Sequence, residues 1–335
     1  MMLIELTGVI ARGIVLAAMV GVSGAVVFQF AVLRRWPQHE HSVHASWPRL
    51  ITRAGLIAAL TILLVAPARL YVQARGLVDD TDPVAPMMAN VLRTLWGKGL
   101  CLQAAAALLA AIAFVIATRA GRTKRAGWWM ALAAALGLTA TPAFMGHASA
   151  SEQFRTLALF ADWIHITAAG GWIGSLLMLA LCARTVDADD HVGTYTATLI
   201  SLFHPVALTS ATLLMASGLT SSLLHVRRLG DLTSSTYGLL LSTKLVLTAV
   251  VAAIGFYHSR RGPTLARTHQ RGSLQRSLAT EVLLAVLVIS VTAVLVGTSP
   301  PTSDREGNPH DHAARTAALT AEFARVGALR HMSSQ

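Results

Sequence analysis

Apolar residues in this chain come in unusually long runs, and that length decides what it can fold into. The hydrocarbon core of a bilayer is ~30 Å thick, and a helix needs about 20 apolar residues to cross it. Eight stretches meet that length, near residues 6–30, 51–73, 91–117, 127–145, 155–182, 200–225, 237–258 and 276–299. Backbone amides in lipid must find partners within their own segment, so each stretch is expected to be a helix. A transmembrane barrel would alternate polar and apolar residues, which this sequence does not do. The expectation is an all-α polytopic integral membrane protein with eight transmembrane helices. Composition agrees, because 13% of the residues are charged where a soluble domain carries about 25%. The first run, from about Met2 to Leu33, is too long for a signal-peptide core and is read as a retained helix.

The formal net charge of +11 is explained by position. Lys and Arg gather between the apolar runs, and no basic stripe is interleaved with aromatics as a nucleic-acid surface requires. Loops after the first, third, fifth and seventh runs hold thirteen basic residues, including Arg34, Arg35, Arg122, Lys124, Arg260 and Arg261. Loops after the second, fourth and sixth hold four: Arg75, Arg155, Arg227 and Arg228. The positive-inside rule puts the richer set in the cytoplasm and both termini in the periplasm. Organisation follows as residues 1–150 with four helices, 151–299 with four more, and a periplasmic tail over 300–335. Pro300 and Pro301 end the last helix, and 313–330 can form a short amphipathic helix.

Ionisable and soft side chains inside the apolar runs carry the functional information, because they are costly in lipid. Met145-Gly-His147-Ala-Ser149 stands at the outer end of the fourth run, and Asp162-Trp163-Ile-His165 lies within the fifth. His165 falls roughly 15 Å from the outer boundary at a rise of 1.5 Å per residue. Asp162 and His165 are three residues apart and share a helix face. A carboxylate beside an imidazole is the usual second shell of a metal-binding histidine. Met215 in the sixth run lies at about the same depth. Imidazole and thioether together suit copper. The candidate metal site is therefore His147, His165, Met145 and Met215, with Asp162 behind them. The small residues of Gly170-Gly171-Trp172-Ile-Gly174 read as a close-packing element. Lys244 and Glu281 sit at different depths and are assigned structural roles, while Arg12, Arg69 and Lys98 are expected to pair with Glu5 or with Asp79, Asp80 and Asp82. His204 is read as opening the sixth helix on the cytoplasmic side. His310 and His312 lie in the tail, where histidines bind metals weakly. Cys101 and Cys182, both inside apolar runs, make no disulfide framework.

There is no Gly-Lys-Ser/Thr phosphate loop, no His-Glu-x-x-His and no Gly-x-Ser-x-Gly. The chain is thus expected not to be an enzyme, and transport is expected to be passive or coupled to an ion gradient.

Several of these stretches resemble the CopD family of bacterial copper-resistance membrane proteins. They are Gly146-His147-Ala148, Asp162-Trp-Ile-His165 through Trp172 and Gly174, and Ser217-Gly218-Leu219. Tyr237-Gly238, Lys244-Leu245 and Arg276-Ser277 with Glu281 complete them. The likeness covers residues 145–299; the first half matches as four helices. Where the family commonly carries Arg-Phe-Ser, this chain has Leu202-Phe203-His204. The resemblance implies copper movement across the bacterial inner membrane, often with a periplasmic CopC-like copper-binding partner. Two alternatives stand beside it. One is a b-type haem electron carrier with His165–His225 or His204–His258 as axial pairs. The other is a membrane chaperone that metallates an oxidase.

Overall fold

The computed structural model describes residues 2–36, 46–79, 81–145, 154–185, 192–225, 236–267 and 271–298. The described residues contain helices and no strand. In chain order these are α1 (Met2–Ala31), α2 (Trp47–Arg75), α3 (Val84–Arg93), α4 (Leu95–Ala117), α5 (Gly121–Met145) and α6 (Arg155–Ala169). A single π-helical turn, Gly170–Gly174, leads into α7 (Ser175–Arg184), followed by α8 (Val192–His225), α9 (Thr236–Arg267) and α10 (Arg271–Leu295).

Among the described residues six helices are long and apolar enough to cross a membrane: α1, α2, α4, α5, the continuous α6–α7 rod, and α8. In α9 and α10 the described apolar stretches, Gly238–Val251 and Leu283–Leu295, are shorter. Two expected boundaries are corrected. The third run does not begin a span at residue 91, because the chain breaks at Thr94, which is extended at φ −71° and ψ 166°. The Thr94 hydroxyl accepts from the Gly97 amide at 3.2 Å, capping α4, and the preceding α3 is a separate short helix. The sixth run begins at Val192, so His204 and Pro205 lie three turns inside α8 and do not open it. Proline lacks the amide that would bond a residue four back, and membrane helices tolerate this where neighbours compensate.

α1 is the hub. It packs against α2, α5, the π turn, α7 and α10, and Met19, Val22, Ala25, Val26 and Phe28 along it are all but fully buried. Small residues let it approach so closely. A methyl group on Gly24 would collide with the Gly174 backbone, and one on Gly170 would collide with Ser23. Without a hydrophobic drive between helices in lipid, such backbone approach supplies the van der Waals contact that holds a bundle. The close-packing role expected of Gly170-Gly171-Trp172-Ile-Gly174 is thereby seen. A π turn accommodates one extra residue per turn, which rotates α7 relative to α6 and brings both faces of the rod onto the bundle.

The two ends of the bundle differ. At one, Trp36 and Trp47 meet edge to face at 5.2 Å, and Trp47 Nε1 donates to Thr185 Oγ1 at 3.0 Å. Arg34 lies 4.5 Å over the Phe30 ring, with Trp129 5.9 Å away. This end carries the basic residues from 34 to 53 and from 119 to 125, so an aromatic and basic belt of the kind found at membrane–water interfaces marks it. At the other end Arg12 Nε donates to Ala293 O at 3.2 Å. The opening part of α1 and the close of α10 therefore lie at one level. Gly121, at φ +62°, makes the left-handed turn that reverses the chain between α4 and α5.

Candidate functional site

α6 presents two faces with different chemistry. Trp163 looks toward α5, donating to Leu136 O at 3.0 Å and to Thr139 Oγ1 at 3.2 Å, and Thr167 pairs with Thr139 at 2.9 Å. These bonds pin the rotation of α6. Residues 162 and 165 then point the other way, onto α8. There His165 Nδ1 lies 3.2 Å from Ser217 Oγ, and Ser221 Oγ donates to Asp162 Oδ1 at 3.1 Å.

The tautomer of His165 follows from the neighbouring bonds. Ser217 has one hydroxyl proton and gives it to the Leu213 carbonyl at 2.6 Å, with the Leu214 carbonyl at 3.2 Å. With the hydroxyl proton on that carbonyl, the Ser217 oxygen accepts from the imidazole and Nδ1 carries the hydrogen. Nε2 is left with its lone pair, which is the form a metal ligand requires. Gly218 makes room for the ring: a methyl group there would stand 3.2 Å from Cε1 and 3.5 Å from Nδ1.

Asp162 shares a face with His165, as their three-residue spacing predicts. Carboxylate and imidazole one turn apart each bond the α8 residue at their own level, Ser221 and Ser217. Lys244, assigned a structural role from its depth, comes from α9 to the same cluster. Its charge acts on both Asp162 and His165. Depth along one helix does not reveal a partner on another, so sequence reasoning named Lys244 and Ser217 without placing them beside His165, and missed Ser221. The available signal was a Ser-x-x-x-Ser pair, Ser217 and Ser221, on one face of an otherwise apolar helix.

The other candidates are dispersed. Met215 is 73% exposed. It lies two residues from Ser217, about 200° around the helix, and so faces away from His165. Met145 closes α5 and packs on Gly99 of α4, where a methyl group would meet its Sδ at 3.2 Å. His147 lies outside the described residues, as do His310 and His312. His204 is exposed on α8, thirteen residues or about 20 Å from Ser217, and so does not oppose His165. The side chains of His225, His258 and Glu281 also lie outside what is described. Among the described residues no three His, Cys, Asp or Glu side chains converge. Cys101 is exposed and Cys182 buried, each as a free thiol. Arg12 and Arg69 form no ion pair with Glu5, Asp79 or Asp82 among the described residues; their partners are the Ala293 carbonyl and the Gln103 side chain.

Comparison with known proteins accounts for both halves. Residues 2–157 match the Copper resistance protein D-like N-terminal domain, and residues 197–295 match Copper resistance protein D. Over these two regions the chain is similar to the copper resistance protein D family. Two curated members are similar along most of it. Copper transport protein CutJ of Bacillus subtilis is 28% identical over 257 residues, which is 76% of this chain and 46% of that protein. The chain thus spans about half the length of CutJ. Copper resistance protein D of Pseudomonas syringae pv. tomato is 28% identical over 261 residues, 73% of this chain and 80% of that one. No solved structure matches. The α8 and α9 members of the cluster, Ser217, Ser221 and Lys244, fall inside the copper resistance protein D match. His165 lies in the interval between the two matched regions.

Proposed function

We propose that this protein carries copper across the bacterial inner membrane. The observation that carries the reading is His165. Its imidazole sits about ten residues into α6, roughly 15 Å along the rod, with Nδ1 bonded to α8 and Nε2 left to accept a metal. A lone imidazole with an oriented, unprotonated nitrogen suits a site that binds its cargo in passing more than one that stores it. His147, one loop outward, supplies a first imidazole on the path, and Met145 a soft ligand at the end of α5. Asp162 compensates the cargo's charge, and Lys244 holds that carboxylate when no metal is present.

The topology belongs to the same proposal. Eight crossings with both termini periplasmic fit the shared level of α1's opening and α10's close and the basic belt at the opposite end. A periplasmic CopC-like protein would then deliver copper on the His147 side.

The test is copper content and copper binding of a purified His165→Ala variant, alongside cellular copper accumulation. Binding and accumulation are expected to be lost while the variant remains folded. Wild-type levels of both would show that His165 is packing only.

A further inference from the structure

The end of the bundle opposite the basic belt holds two guanidinium groups with no counter-charge among the described residues. Arg12 on α1 and Arg69 on α2 are both half-buried. Their juxtaposition follows from helix register. Gly8 of α1 faces Val72 of α2, and Gly21 faces Ala58. An antiparallel pair with that register puts Arg12 level with Ala68 and Arg69. The two positive charges act on each other accordingly.

Each guanidinium is positioned by one bond. Arg12 Nε donates to Ala293 O at 3.2 Å, and its Nη atoms lie over Gly297 and near Gly8, where no side chain intervenes. Arg69 Nη1 donates to Gln103 Oε1, and its guanidinium lies 5.7 Å over the Trp96 ring. Gln103 is itself fixed, its amide donating to Thr141 Oγ1 at 3.0 Å and to Met19 Sδ at 3.6 Å. A guanidinium has five N–H donors, so each arginine retains four with no acceptor among the described residues. Two like charges side by side near lipid are costly unless an anion sits between them.

We infer that Arg12 and Arg69 form a binding site for a phosphate oxyanion, supplied by an anionic lipid headgroup of that leaflet or by free phosphate. Planar guanidinium forks match phosphate oxygens two at a time. Trp96 at the rim is the residue type that settles at headgroup depth. Exposed Lys98 and Arg93 beside α4's start extend the positive field outward. The site is independent of the copper reading and uses none of its residues.

The experiment is native mass spectrometry and thermal melting of the delipidated full chain, with phosphatidylglycerol, phosphatidylcholine or inorganic phosphate added. One retained phosphatidylglycerol per chain and a rise in melting temperature of several degrees, absent with phosphatidylcholine, would assign a lipid headgroup. The same rise with millimolar inorganic phosphate would assign free phosphate. Arg12→Gln and Arg69→Gln, made singly, should each remove the response, and Arg53→Gln at the other end should leave it intact. If one arginine variant fails to fold, the other carries the test. No response to either phosphate source, or a response unchanged in the variants, overturns the site.

Discussion

Replacing Gly218 by alanine probes the proposed copper site without touching a proposed ligand. The added methyl would stand 3.2 Å from His165 Cε1 and 3.5 Å from Nδ1, whereas carbon atoms pack best at about 3.5–4.0 Å. The ring must therefore withdraw by roughly 0.3–0.8 Å. The Nδ1 to Ser217 bond is already 3.2 Å long, and that withdrawal takes it beyond hydrogen-bond range. Losing one such bond costs about 0.5–1.5 kcal/mol, which corresponds to roughly a 2- to 10-fold loss of copper affinity at 1.4 kcal/mol per decade. Alanine is the better helix former by about 1 kcal/mol, so the melting temperature should hardly change. Affinity falls while stability stays level, which separates a site effect from unfolding. The assay is a copper titration against a chromophoric chelator in nanodiscs, with circular-dichroism melting of the same samples. Wild-type affinity in a folded Gly218→Ala variant would refute the claim that the Ser217 bond sets the imidazole.

Met215→Leu should leave copper binding within about twofold, because the side chain faces away from His165; a tenfold loss in the same titration would return it to the site. Gly174→Ala places a methyl 2.7 Å from Gly24 Cα, where neither backbone can yield, so it should destabilise by about 1–3 kcal/mol or more, read as lower yield of monodisperse protein and a lower melting temperature. Asp162→Asn and Lys244→Met should each destabilise, and the double variant should lose less than their sum, with a coupling above about 0.5 kcal/mol; strict additivity would deny that the two charges interact. Reporter fusions at Arg122 should read cytoplasm and at Asp79 periplasm, and the reverse pattern would invert the proposed orientation.

The candidate site was legible only as an inventory. Asp162 and His165 stood out because ionisable groups are rare in apolar runs, and their shared face follows from helical spacing alone. Their partners were not legible as partners. Ser217 and Lys244 were visible in the sequence, but their meeting with α6 was not, because it depends on the rotation that Trp163 and Thr167 impose on that helix. Met215 shows the same limit in reverse, since its depth can be counted along one chain but its rotation against another helix cannot. Arg12 and Arg69 were expected to pair with nearby acidic residues. Tertiary packing gave them a carbonyl and an amide instead.

What this sequence determined by itself is the solvent it folds in and the elements it uses. Apolar length against bilayer thickness leaves only helices, and loop charge biases their direction, because both are local, additive properties. What the tertiary structure decided is which faces meet. That depends on where glycines allow backbones to touch, as at Gly24 and Gly174, and on a π turn that rotates half a span. These are contacts between residues far apart in the chain, about which no local pattern carries information.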